Sequence, residues 1–290
     1  MMKVNIKGDD IYKEVIDLYE YRSVDNVITY DISSDYYNWD VYTHIHDSDN
    51  KIYVLVIDCT YHDAFCHWVY ESAIYLPLFN ILKNKYPNIK LHLKGYKKYK
   101  ELFCTHFNIV SADILYQLPS NNCCIFPLPI SCLNNKDICN NYKAQVYKFI
   151  NHFKNNSAVK TIFILLMPRQ VKENYKGNDR VYYTGDIETN IQHYDDSYIL
   201  NTDEVVVLSD QINIVNNSKN IILTAGSPYF VNGIFTNNST IIVLDDLIIS
   251  QINEFKKMGF LHNIISTNNT VHIVPRESPF RFNNIKHLLL

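Results

Sequence analysis

Two apolar runs constrain this chain more than any other feature. Ile52-Tyr53-Val54-Leu55-Val56-Ile57 and Thr161–Met167 show no alternation of polar and apolar residues. A strand with one wet face alternates, whereas a strand covered on both faces does not. Each run therefore predicts a central strand of a sheet packed between helices. Around the first run, apolar positions 65, 68, 69, 74, 78 and 82 predict a helix from about Asp63 to Lys85, kinked where Pro77 removes a backbone hydrogen bond. Val27–Ile32, Trp39–Ile45, Ile89–Leu93, Ile114–Leu118 and Cys124–Leu128 read as further strands, and Tyr96–His106 as a helix. This strand–helix alternation is the pattern of an α/β domain.

Pro127, Pro129 and the polar stretch Ser131–Asp137 predict a linker, followed by an amphipathic helix over Ile138–Phe153. The alternation then resumes. Thr161–Met167, Asn220–Thr224, Thr240–Leu244 and Val271–Val274 read as strands, and Pro168–Ser197 as irregular chain. Glu204–Leu208 fits a strand or the first turn of a helix. Helices are expected over Asp210–Asn217, with Ser209 as N-cap, over Ser227–Phe235, and over Leu247–Met258, ended by Gly259. The expected fold is α/β, with two Rossmann-like lobes over residues 1–135 and 136–290.

Composition narrows the function classes. Of 290 residues, 47% are hydrophobic and 20% charged, which fits a globular protein rather than a disordered or fibrous one. The net charge of −3 disfavours a partner bound through its phosphates, so nucleic acid is not expected. The seven cysteines are odd in number and form no CxxC pair, which suggests neither a zinc ribbon nor a disulfide framework. The first ten residues form no signal-like apolar segment, and no apolar run is long enough for a membrane span. A cytoplasmic location is the expectation.

Three constellations could carry chemistry. In His67-Trp68-Val69-Tyr70-Glu71, His67 and Glu71 are four apart and share a helix face just after a buried strand. The carboxylate could act as a general base with the imidazole beside it; the plain alternative is a helix-surface pair. In Ala225-Gly226-Ser227-Pro228 a strand ends, Ser227 is suited to N-cap a helix and Pro228 to begin it. Free amides there suit a diphosphate, and the alternative is a structural turn. Arg169 follows the buried strand Thr161–Met167, with Arg180 eleven residues on, and a guanidinium at a strand end suits phosphate. Weaker sets include His44 with His46 as metal ligands, and Asp245-Asp246, better read as a helix cap.

Taken in order, these segments resemble the glycosyltransferase 61 family, which includes plant xylan xylosyl- and arabinosyltransferases and protein O-GlcNAc transferases. The resemblance spans roughly residues 50–250. It rests on His67-Trp68-Val69-Tyr70-Glu71 followed by Leu76-Pro77-Leu78-Phe79, then on Leu102–Ile109, where Asn108 replaces a Gly. It continues through Pro168-Arg169, Arg180, Ser209-Asp210-Gln211-Ile212, Asn220–Leu223, Ala225-Gly226-Ser227, Asn232 and Phe235. Ala225 stands where the family often has His. The resemblance implies a GT-B architecture and inverting sugar transfer without an obligatory cofactor or metal. The implied donor is a nucleotide sugar, a UDP-sugar first among them, and the implied acceptor a hydroxyl of a glycan or glycoprotein. On this reading Glu71 is the base, with His67 its neighbour, and Arg169, Arg180, Gly226, Ser227 and Asn232 hold the donor. A non-catalytic α/β binding or scaffold protein is the competing class.

Overall fold

A computed structural model describes residues 27–34, 37–44, 52–57, 65–85, 87–93, 98–116, 122–126, 143, 146–147, 149–153, 159–168, 185–201, 207–275 and 279–289. The chain divides into two compact units, Met1–Asn151 and His152–Leu290. Each has its own sheet, and both are α/β. The linker expected over 131–137 lies outside the described residues.

The N-terminal unit holds strands β1 (Val27–Ser34), β2 (Tyr37–His44), β3 (Ile52–Ile57), β4 (Lys90–Leu93), β5 (Ile114–Leu115) and β6 (Asn122–Phe126). They form one sheet in the order β1-β2-β6-β3-β4-β5. β1 and β2 form an antiparallel hairpin that joins β6 antiparallel, while β6, β3, β4 and β5 run parallel. In chain order the parallel part reads 3-2-1-4, and the order reverses between β3 and β6. Consecutive residues Val54 and Leu55 are both fully buried, as expected for a central strand with both faces covered.

The long helix expected after β3 is broken. A three-residue α-turn, α1 (Phe65–His67), passes into a π-turn over Trp68–Ser72 and a 3₁₀ turn over Ala73–Tyr75 before α2 (Leu76–Lys85) begins. Ala73 N–H donates to Trp68 O across five residues, and the Leu76 amide reaches only to Ala73 O. Pro77 explains this. Its ring would clash with the carbonyl four residues back, so the chain cannot run straight through residue 73. At the second position of α2 its missing N–H costs little, because no partner lies within the helix there.

Further along, α3 (Lys98–His106) closes through a paired turn. Asn108 N–H donates to Thr105 O at 2.9 Å and Ile109 N–H to Cys104 O at 2.8 Å. This Schellman geometry needs a left-handed residue, and Asn108 supplies it at φ 59°. The side chains of Phe103 and Phe107 stack on Phe149, with ring centroids 6.3 and 5.7 Å apart.

The C-terminal unit contains β7 (Ile162–Met167), α4 (Ile187–Ile191), β8 (Ser197–Ile199), α5 (Leu208–Asn216), β9 (Ser218–Leu223) and α6 (Ser227–Asn232). β10 (Thr240–Leu244), α7 (Leu247–Glu254), α8 (Lys256–Asn268), β11 (Thr270–Val274) and α9 (Phe282–Ile285) complete it. All five strands are parallel, in the order β11-β10-β9-β7-β8. In chain order this is 2-1-3-4-5, a doubly wound sheet that reverses between β7 and β9. Alternate residues Ile164, Leu166, Ile222, Ile242, Leu244 and Val274 pack against Ile187 and Ile191 of α4 and against Phe280, Phe282 and Ile285 at the C-terminus.

Several local expectations are corrected here. The stretch 168–197 is not wholly irregular, because α4 lies within it. Ser209 does not cap α5, which starts at Leu208 after Val207. Gly259 does not end a helix. The break falls at Phe255, whose backbone is extended, and Gly259 lies inside α8, where a Cβ would come within 3.0 Å of Ile252 O. Glycine there permits close approach of α7 and α8.

The N-terminal edge of this sheet is polar and paired. Lys160 donates to Asn216 O and, at 3.2 Å, to Thr236 Oγ1. Ser239 Oγ donates to Ser218 O at 2.7 Å, and Asn269 Oδ1 accepts from Ser239 N–H at 3.2 Å. Burial brings the Lys160 ammonium down to about 8.

On the α6–α8 side, the buried Tyr229 hydroxyl hydrogen-bonds His262 Nδ1 at 2.8 Å. Burial raises the tyrosine and lowers the histidine below 6.5. The unfolded chain therefore binds a proton at His262 more readily than the folded one, and this contribution to stability is lost as pH falls through about 6.5 and below. Melting temperature should drop between about pH 7.5 and about pH 5.5, and His262→Gln should flatten that part of the profile. An identical slope in the variant would assign the effect elsewhere.

Candidate functional site

Ligands of open parallel sheets bind beyond the strand C-termini where the order reverses, because the loops on either side of that point leave towards opposite faces. Each unit offers one such place, and each carries one of the motifs read from the sequence.

In the N-terminal unit the reversal lies between β3 and β6, and the chain leaving β3 leads to α1 and the π-turn. His67 Nδ1 and Glu71 Oε1 are 2.5 Å apart, a charge-assisted hydrogen bond from imidazole to carboxylate. The side chains keep 29% and 13% of their exposure, so the pair is partly sheltered yet reachable. Glu71 belongs to the π-turn itself, a form that is rare and concentrated at functional sites. Two further buried atoms of this turn, Trp68 Nε1 and Ser72 Oγ, have no hydrogen-bond partner. The buried Lys100 ammonium lies 5.2 Å from the centre of the Trp68 ring. An ordinary surface helix has no such concentration of sheltered polar groups.

In the C-terminal unit the reversal lies between β7 and β9. The last registered pair is Met167–Leu223, so Pro168 and Thr224 follow as neighbours at the crevice. Gly226 rather than Ser227 is the N-cap of α6, because its backbone, at φ 83° and ψ −139°, is open only to glycine. Ser227 is the first helical residue and makes no side-chain cap. A Cβ built on Gly226 would meet no atom within 4 Å, so space lies open over the turn. Pro228 lacks an N–H and the Phe230 amide is spent on Gly226 O, so at most the amides of Ser227 and Tyr229 face that space.

Thr224 is the residue the sequence reading passed over. It is 1% exposed and its Oγ1 has no partner. An unsatisfied buried hydroxyl costs about 1–3 kcal/mol, and this one sits one residue past β9 at the reversal. Thr before Ala-Gly is an ordinary sequence, so only the fold distinguishes it.

Asn232 does not line the open space. It is 3% exposed, its Oδ1 accepts from Gln211 Nε2 at 2.6 Å, and its Nδ2 donates to Pro228 O at 2.8 Å. Its visible work is to hold α6 against α5. Arg169 and Arg180 lie outside the described residues. Thus Gly226 and Ser227 come together with Thr224 in one unit, and His67 with Glu71 in the other. Among the described residues no group of three His, Cys, Asp or Glu side chains could hold a metal, and no helix is long and apolar enough to cross a membrane. Neither protein-family models nor curated proteins give a match to this sequence.

Proposed function

We propose that this chain is an inverting glycosyltransferase of GT-B type that moves a sugar from a nucleotide-sugar donor to a hydroxyl of a glycan or protein. The observation that carries the reading is the His67–Glu71 pair, which spans the start of a π-turn that follows the central strand of a Rossmann-like sheet. In this reaction the acceptor oxygen attacks the anomeric carbon, and its proton passes to the Glu71 carboxylate. The bond from that carbon to the nucleoside diphosphate breaks on the opposite face. His67 orients the carboxylate through their shared hydrogen bond. The diphosphate leaves with growing negative charge, which fixed donors stabilise best. Thr224 Oγ1, the Ser227 amide, Arg169 and Arg180 are assigned that task, with a UDP-sugar as the first donor to try.

The second reading, a binding protein without turnover, draws on the shortness of α6. Six residues with at most two available amides make a thin anion cradle. One screen separates the readings. The full chain is melted with a panel of nucleotide sugars and nucleoside diphosphates, and nucleoside diphosphate release is then measured with the ligands that bind. A donor at about a hundred times its Kd should add about 2.7 kcal/mol of stability. Binding with turnover is the expected result, binding without turnover favours the second reading, and no shift with any nucleotide refutes the first.

A further inference from the structure

Lys160 is an amine that the proposed function leaves unused. It stands just before β7 and is partly exposed, next to the exposed Val159. Its Nζ donates to Asn216 O, at the end of α5, and at 3.2 Å to Thr236 Oγ1, in the chain between α6 and β10. Among the described residues it has no other partner, and so no carboxylate.

The partners decide which form of the amine fits. Thr236 Oγ1 lies 2.7 Å from Ser239 Oγ, whose own hydrogen goes to Ser218 O. Thr236 therefore gives its hydrogen to Ser239 and offers Lys160 a lone pair. Two acceptors match the two N–H bonds of a neutral amine, and the nitrogen lone pair is left over. An ammonium would bring a third N–H with no acceptor among the described residues, and its charge would be half-buried beside no opposite charge. Burial alone brings it down to about 8. The groups that meet it from α5 and from the chain after α6 are a peptide oxygen and a hydroxyl, and neither titrates.

We propose that Lys160 is a modification site whose Nζ takes an acyl group from a small activated donor, a thioester or an acyl phosphate. The nitrogen lone pair attacks the acyl carbon. The bond from that carbon to sulfur or to phosphate oxygen breaks, and the departing thiolate or phosphate takes up the proton that the nitrogen loses. The amide product carries no charge to bury. It keeps one N–H for two acceptors, so one tie between β7 and its neighbours is released. Nothing in this proposal depends on the nucleotide reading.

The full chain is incubated with acetyl-CoA or with acetyl phosphate, and acetylation is read at each lysine by peptide mass spectrometry. A group that titrates near 8 is roughly a tenth free amine at pH 7, against less than about a thousandth for an ordinary lysine. Lower basicity takes back part of that advantage. Lys160 should therefore acetylate about tenfold or more faster than the exposed Lys256 at pH 7, and its rate should level off above about pH 8. In denaturing guanidinium chloride the excess should vanish. An excess with the thioester, with the phosphate or with both upholds the site and identifies its donor. Labelling no faster than Lys256 with either donor overturns the proposal. So does an excess that survives denaturation, because it would belong to the local sequence rather than to the fold.

Discussion

Gly185→Ala should be the most damaging single methyl in the described structure, lowering stability by about 3–5 kcal/mol. Gly185 sits at φ 61°, and a Cβ there would lie 1.9 Å from Phe280 O. The obstacle is backbone, so no rotamer change relieves it. The next residue, Asp186, accepts the Phe282 amide at 2.7 Å, which pins the C-terminal segment to the start of α4. Any shift that admits the methyl must loosen that bond and the packing of Phe280 and Phe282 on the sheet. A drop in melting temperature of about 10 °C or more is expected. Gly226→Ala supplies the control. It has the same kind of restricted backbone but open space for the methyl, so only the conformational strain of about 1–3 kcal/mol applies. If Gly185→Ala melts like the parent, or if Gly226→Ala is the worse of the two, the close approach described here is wrong.

On the proposed sugar transfer, Glu71→Gln should lose about 10²–10⁴-fold in turnover. Glutamine retains the size and can still pair with His67, but it cannot take the acceptor proton. Donor affinity should be unchanged, because Glu71 belongs to the N-terminal unit and the donor is assigned to the C-terminal one. The two quantities are measured on one preparation, with the best donor from the nucleotide screen. Turnover within a few-fold of the parent would remove Glu71 from the chemistry. Parallel loss of donor affinity and melting temperature would show that the pair holds the π-turn together instead.

The central strands were legible in the sequence for a simple reason. Ile52–Ile57 and Ile162–Met167 are covered on both faces, and a run without alternation has few other uses. The short edge strand β5 was legible as part of the run Ile114–Leu118, but β8 was not. In β8, Ser197–Ile199, the middle residue is exposed and nothing in three residues separates strand from loop. Glycine and proline were read as punctuation, yet Gly259 serves helix approach and Pro77 reshapes the turns before it rather than kinking one helix. At the site, His67 and Glu71 could be paired from their spacing alone, because four residues bring side chains together within one element. Strand order is set by contacts far apart in sequence, so the reversal between β7 and β9 could not be read. Thr224 is meaningful only once that order is known. Asn232 shows the converse, since its polar side chain is consumed by Gln211 and Pro228 within the core.

On the proposed function, the donor nucleotide lies over the β9–α6 turn at the reversal of the C-terminal sheet. Hydrogen–deuterium exchange on the full chain, with and without a saturating nucleoside diphosphate, tests this most directly. Peptides covering 224–229 should gain protection, and those covering 216–218 and 236–239, at the opposite edge, should exchange as before. Protection confined to the opposite edge, or no change at 224–229 while the ligand is bound, would contradict the claim.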